Sequence, residues 1–313
     1  MNSSKFVIVV ALATLCCACS SSKVVRKNGG IQYQKSTQTA EFIPYQTITL
    51  PDALEEISGL LLLNDSYLGF NDSGGEAAVY QISKDTEAKI TKTIAFKNKN
   101  NVDFESIAMS NTQIFVGDFG NNRGNRKDLR VYYFDKSILD STSYQEIEVK
   151  TIRFSYPEQK DFSIRNRDHD FDCEAMYVHS GKLHIFTKEW KSFKTHHYTL
   201  DIKEGKQEAK LLEAFDVGFL VTGADAITQN KKTTVALIGY TFEGEVYYMQ
   251  QQINADVTLI FKTAPKVYFL GSSIELGQVE GVALISETEF CTSAERFGFE
   301  EHKIKEHMSC YKF

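Results

Sequence analysis

Five times along the chain an acidic residue sits before a small residue and an apolar run. The segments are EEISGLLLL from Glu55, DFESIAM from Asp103, DCEAMYV from Asp172, GADAITQ from Gly223 and VEGVALI from Val279. Their acids, Glu56, Glu105, Glu174, Asp225 and Glu280, are separated by 49, 69, 51 and 55 residues. After each comes a turn and a second β-like run: YLGF at Tyr67, IFVGDF at Ile114, LHIFTK at Leu183, TVALIGY at Thr234 and FCTSAE at Phe290. Further runs rich in Val, Ile, Tyr, Phe and Thr follow in most units, with Gly, Asn and Asp between them. A unit of four short strands repeating at roughly 50 residues is the pattern of a β-propeller blade. The sequence therefore predicts an all-β fold, a β-propeller of five four-stranded blades. A sixth blade stays open if the long second unit hides one between Asp135 and Asp170, where a weak helical pattern surrounds Ile138.

The last unit, ending HKIKEHMSCYKF, is one strand short, whereas FIPYQTITL from Phe42 precedes the first unit without a partner. That strand is predicted to join the last blade and close the ring, which removes the free edges an open sheet would expose.

Composition supports a packed core and narrows the partners. The 313 residues are 42% hydrophobic and 12% aromatic, with a formal charge of −6 and no basic block, a balance that argues against nucleic acid. At the N-terminus, MNSSK and FVIVVALATL read as the positive and apolar regions of a signal peptide, too short to span a bilayer. With Ala18 before Cys19, the segment resembles a bacterial lipoprotein signal. That resemblance implies a signal peptide over 1–18, a lipid (palmitate among its chains) on Cys19, a polar tether over 19–38 and a propeller domain over 39–313. It places the protein in the bacterial cell envelope, periplasmic or outer-membrane facing, touching the membrane through its lipid anchor only. A plain signal peptide is the alternative. Of the remaining cysteines, Cys291 and Cys310 lie on neighbouring segments and can meet across a hairpin as a disulfide, while Cys173 reads as buried.

In a propeller the first strand of each blade lines the central channel, so acids at the starts of first strands share one rim. The antiparallel second strand returns to that rim, about 4.8 Å away. This brings Asn71, Asp72, Asp118, Asn121, Arg123, Lys188, Glu189, Tyr240, Glu295 and Arg296 beside the ring. Converging carboxylates either shift their pKa values upward or hold a cation. Glu56, Glu105, Glu174, Asp225 and Glu280 are thus candidate ligands for a hard divalent cation, calcium first, since no histidine recurs with them.

The strings ISGL…NDSGG…VY, DFESIA…IFVGDFGNN, CEAM and VEGVAL resemble secreted bacterial β-propellers of the SdiA-regulated and phytase-like esterase type. EISGL, FES and EAM are more distantly similar to calcium-activated nucleotidases (apyrases), which implies a calcium ring. Three functional readings stay open. One is a metal-dependent hydrolase of a phosphorylated or other anionic small molecule, with Glu56 or Glu189 as general base and Arg123, Arg126, Lys188 and Arg296 as anion contacts. The second is a non-catalytic propeller that binds a small anionic ligand or an envelope partner and keeps a structural cation. The third is a lactonase-like hydrolase. No G-x-S-x-G, H-E-x-x-H or P-loop motif occurs.

Overall fold

Apolar runs that are buried on both faces do not alternate, and the first strand of each repeat behaves this way. Ile57–Leu62, Phe104–Met109 and Asp172–His179 are buried along nearly their whole lengths. The computed structural model describes residues 42–140, 143–299 and 302–313; the signal segment, Cys19 and the tether lie outside them.

The strands form five antiparallel blades in chain order. Blade 1 holds Ile57–Leu62, Ser66–Asn71, Ala78–Ser83 and Ile90–Phe96. Blade 2 holds Phe104–Met109, Gln113–Asp118, Arg130–Asp135 and Lys150–Ser155. Blade 3 comprises Asp172–His179, Lys182–Lys188, Thr195–Asp201 and Lys210–Phe215. Blade 4 comprises Leu220–Gln229, Lys232–Tyr240, Glu245–Asn254 and Lys266–Ser272. Blade 5 takes Gln278–Ser286, Glu289–Glu295 and His307–Lys312 from the end of the chain, and Gln46–Thr49 from its beginning. Gln46 pairs with Cys310 and Thr49 with His307, so the predicted N-terminal strand does close the ring.

The extra length of the second repeat builds no sixth blade. It forms a 3-10 turn at Lys136–Asp140, where the helical pattern was weak, and a short strand, Tyr144–Ile147, parallel to the outer strand of blade 1. Gly205–Glu208 covers the outer strand of blade 2 in the same way. Each addition occupies an edge that would otherwise offer unpaired backbone groups.

No single core fills the molecule. Buried side chains gather between adjacent blades: Phe70, Phe104 and Tyr132 between blades 1 and 2, Phe119, Met176 and Tyr198 between blades 2 and 3. Phe186 and Leu237 meet between blades 3 and 4, Tyr248 and Phe290 between blades 4 and 5, and Ile48 and Tyr67 between blades 5 and 1. Cys173 is buried with the second group.

Cys291 and Cys310 sit directly opposite each other in blade 5 and are joined by a disulfide, 19 residues apart in sequence. It fastens the strand that receives the closing segment. A loop of that length constrains the unfolded chain by about 3 kcal/mol. We expect Cys291→Ser/Cys310→Ser to lose about that much stability in urea unfolding; a change within about 0.5 kcal/mol would show that strand pairing alone secures the closure.

Candidate functional site

Near its start, every inner strand slips register by one residue against its neighbour. The shifts fall between Ile57 and Leu60, Phe104 and Ser106, Cys173 and Ala175, Val221 and Gly223, and Val279 and Gly281. A bulge leaves a residue out of the ladder and re-aims its side chain. The residues so placed are Ser58, Glu105, Glu174, Thr222 and Glu280, all buried. Each is followed by a small residue: Gly59, Ser106, Ala175, Gly223 or Gly281. The inner strands leave no room for more. A Cβ on Gly281 would stand 2.7 Å from the carbonyl oxygen of Ser58, and one on Gly223 would stand 2.8 Å from that of Glu280.

This register keeps Glu105, Glu174 and Glu280 together and removes two other predicted ligands from the ring. In blade 4 the position belongs to Thr222, whose hydroxyl donates to the carbonyl of Val279 at 2.9 Å. Asp225 lies three residues further on, opposite Ala236, and accepts the backbone N–H groups of Ala226 and Leu284 at 2.7 Å each. It braces blade 4 against blade 5. In blade 1 the position belongs to Ser58, whose hydroxyl donates to the carbonyl of Glu105 at 3.3 Å. Glu56 stands two residues earlier with its side chain exposed. Asp103 and Asp172 occupy that earlier position in blades 2 and 3, and Gln278 does so in blade 5. They form a second tier of polar groups that sequence reasoning missed, although D-x-E recurs at Asp103 and Asp172.

Carboxylates act on one another here, among them Asp72, Asp103, Glu105, Asp172, Glu174, Glu280 and Glu295, and the charge of the exposed Glu56 reaches Asp72 and Glu295. Lys188 lies inside the group. Its Nζ meets Glu174 Oε2 at 2.6 Å and the Tyr240 hydroxyl at 3.0 Å, and it also rests over the rings of Tyr240 and Trp190. Gln278 Nε2 donates to Glu280 Oε1 at 2.7 Å and Glu295 Oε2 at 3.0 Å. Asp172 accepts from Asn121 N–H at 2.5 Å and from Trp190 Nε1 at 2.7 Å. One oxygen each from Asp72, Asp103 and Glu105 lie within 4.8 Å of one another. Glu105 Oε1 and Asp103 Oδ2 converge over Gly120, where a Cβ would meet them at 2.2 and 2.4 Å. Asp72 Oδ1 and Glu280 Oε2 are buried and have no hydrogen-bond partner among the described residues.

Burial and mutual repulsion push these carboxyl groups upward. Burial first, then the charge of Asp103, raises Asp72 to about 8. Burial and Asp172 raise Asp103 to about 6, and burial and Glu280 raise Glu295 to about 9. Burial, followed by Glu174, lifts Glu105 well above the carboxylate range. Burial also raises Glu174 and Glu280, with Lys188 opposing both. For Lys188 itself burial disfavours the charge, but Glu174 and its neighbours outweigh that and hold the ammonium protonated.

The residues nominated as base and anion contacts are mostly engaged elsewhere. Glu189 is buried and accepts from Thr187, Ser192 and His196, tying down the loop behind it, so it is not poised as a base. Arg126 binds Asp118, Asp128 and the carbonyl of Gly120. Arg296 binds Asp52, Glu55 and the buried Glu306. Arg123 stands exposed on the loop after Asp118.

No sequence-family model matches the chain, and no curated protein matches it. Among solved structures it is similar to an endo-arabinase from Bacteroides thetaiotaomicron, with TM-score 0.50 and 11% identity over 85% of this chain and 97% of that one. It is also similar to Bacteroides ovatus Xyloglucan PUL GH43B, with TM-score 0.49 and 8% identity over 85% of this chain and 54% of that one. A protein of unknown function from Dyadobacter fermentans gives TM-score 0.41 and 9% identity over 88% of this chain and all of that one (100%). At such identities the first likeness supports the propeller fold and nothing finer.

The Glu174–Lys188 pair has side chains only 3% and 4% exposed. Removing one member leaves the other buried without compensation, at a cost of about 3–5 kcal/mol. We expect Lys188→Met to lose about 3 kcal/mol in urea unfolding at neutral pH and Glu174→Gln in that background to restore part of it. The loss should grow as pH rises, because the isolated Glu174 carboxyl folds best protonated. A loss under about 1 kcal/mol would contradict the pairing.

Proposed function

We propose that this end of the channel binds a divalent cation through Asp72, Asp103 and Glu105, and that the cation is the working centre of a hydrolase for small anionic molecules. The observation that carries the reading is the convergence of three carboxylate oxygens within 4.8 Å, with a buried oxygen of Asp72 that has no partner among the described residues. Oxygens that share one calcium at 2.3–2.6 Å lie up to about 5 Å apart, which this spacing fits. A cation there would neutralise repulsion that burial otherwise forces the carboxyl groups to relieve by protonation. It would also polarise a bound water or the group under attack. Glu295, raised to about 9 by burial and then by Glu280, and Glu280, raised by burial against the opposing charge of Lys188, are the nearby proton donors.

The calcium ring implied by the likeness to calcium-activated nucleotidases belongs to this reading in a modified form, with three ligands on blades 1 and 2 and not five around the axis, as does the resemblance to propellers of the SdiA-regulated and phytase-like esterase type. An envelope location, with a lipid on Cys19, residues 19–38 as tether and residues 39–313 as the working domain, also belongs to the proposal. The second reading, a binding propeller with a structural cation, is favoured by one observation. Arg126, Lys188 and Arg296 are already held by carboxylates and are not ready for a substrate.

Calcium should raise the melting temperature of the mature protein, EGTA should reverse the rise, and Asp103→Asn or Glu105→Gln should abolish it. No calcium shift in the unsubstituted protein would overturn the cation site. Turnover of phosphate esters lost with calcium removal supports the hydrolase, and a calcium shift without turnover across such a panel supports the binding module.

The pH dependence has a definite sign. Asp72 and Asp103 titrate higher when folded than unfolded, so without cation their contribution to stability is complete below about pH 4 and is lost as pH rises through about 6 and 8. Cation binding needs the ionised forms and strengthens over the same interval. Metal-free protein should therefore melt lower at pH 8 than at pH 5, and saturating calcium should narrow or invert that difference. Equal melting at both pH values without metal would contradict the assignment.

A further inference from the structure

The rim that carries the acids also carries their electrostatic opposite. Beside blade 2 a cavity of about 260 Å³ is lined by Lys99, Asn100, Arg130, Tyr132, Thr151 and Arg153, and by no carboxylate. Tyr132 is buried, and its ring forms part of the wall. Lys99 Nζ lies 6.0 Å and Arg130 Cζ 5.6 Å from its centroid. Arg130 spends Nε on Asp118 and one terminal nitrogen on Asp128. Lys99 and Arg153 form no ion pair among the described residues. Three cations thus face one cavity in a chain of net charge −6, and two of them have no carboxylate.

We propose that this cavity binds the anionic group of a small molecule, a carboxylate or a phosphate, through Lys99, Arg130 and Arg153. Like charges around a shared space repel, and an anion placed among them turns that repulsion into charge-assisted hydrogen bonds. Arg153 brings a planar fork suited to two oxygens of one group, and Asn100 and Thr151 offer neutral donors beside it. Burial pushes the Tyr132 hydroxyl above its ordinary pKa, and Arg130, Arg126 and Arg153 oppose that shift. The anion contacts are thus relocated from Arg126, Lys188 and Arg296, which carboxylates hold, to a group in which Lys99 and Arg153 form no ion pair among the described residues and Arg130 is shared with Asp118 and Asp128.

The cavity adjoins the acid cluster. Val102 lines it and directly precedes Asp103, one Cα step of about 3.8 Å. A ligand anchored here would project toward Asp72, Asp103 and Glu105; that last step rests on the proposed cation centre, whereas the anion site does not.

The test uses mature protein freed of metal on a chelating resin and titrated calorimetrically with inorganic phosphate and, separately, with malonate. Binding of either is expected, weakening with added sodium chloride. Lys99→Ala/Arg153→Ala should weaken it by about 10-fold or more while the melting temperature stays put; Lys99→Arg should keep it, and Arg153→Lys, which keeps the charge and loses the fork, should weaken it by less than the double alanine substitution. Phosphate alone or malonate alone would identify which anion the site takes. Failure of both probes to bind at roughly 10 mM, or binding that survives the double alanine substitution, would overturn the proposal. Asp103→Asn separates the two sites, since it should abolish the calcium effect and leave phosphate or malonate binding in place.

Discussion

Five inner strands packed backbone to backbone around one axis leave almost no volume between them. That constraint places glycine, alanine or serine at the tightest point of each strand, and it throws the preceding residue out of the ladder as a bulge. The bulge then decides what the channel end contains. Where the bulged residue carries a hydroxyl, as in Ser58 and Thr222, it bonds to the backbone of the next blade. Where it is a glutamate, it adds charge to a buried space. Closure of the ring and acidity of its mouth are two results of the same packing.

The second result creates a problem that the molecule meets in three ways. Lys188 neutralises Glu174 directly. Amide and indole N–H groups solvate Asp172, and Gln278 bridges Glu280 and Glu295. Asp72, Asp103 and Glu105 receive least, and they are the ones whose oxygens converge. In the function proposed above, protons and a divalent cation compete for that group, and pH and the available metal set its state. At the cavity lined by Val102, the residue before Asp103, the charge reverses with Lys99, Arg130 and Arg153. An acidic centre beside a basic pocket suits a ligand that carries an anion at one end and meets a cation at the other.

Much of this was legible in the sequence. The recurrence of acid, small residue and apolar run gave the blade count, and the orphan strand from Phe42 gave the closure, because both follow from strand number and chain order. Antiparallel return correctly brought Asp72, Lys188, Tyr240 and Glu295 to the rim. What could not be read was the bulge. It decides which residue of each first strand turns into the channel, and the acid beside the apolar run is not always that residue: Glu56 stands two places early and matches Asp103 and Asp172, not Glu105, while Asp225 stands three places late and Thr222 takes the fourth place. The fates of Arg126 and Arg296 were also hidden. Their acids, Asp118 and Glu306, come from strand ends and loops whose approach depends on the assembled ring.

The central claim is that Asp72, Asp103 and Glu105 hold a cation, and the lone tryptophan provides a direct reporter. Trp190 donates to Asp172, which neighbours both Asp103 and Glu105. Terbium titrated into metal-free protein under indole excitation should give sensitised emission that saturates at one ion per chain. Excess calcium should quench it, and Glu105→Gln should remove it. Absence of sensitised emission, or emission that Asp103→Asn and Glu105→Gln leave unchanged, would contradict the account.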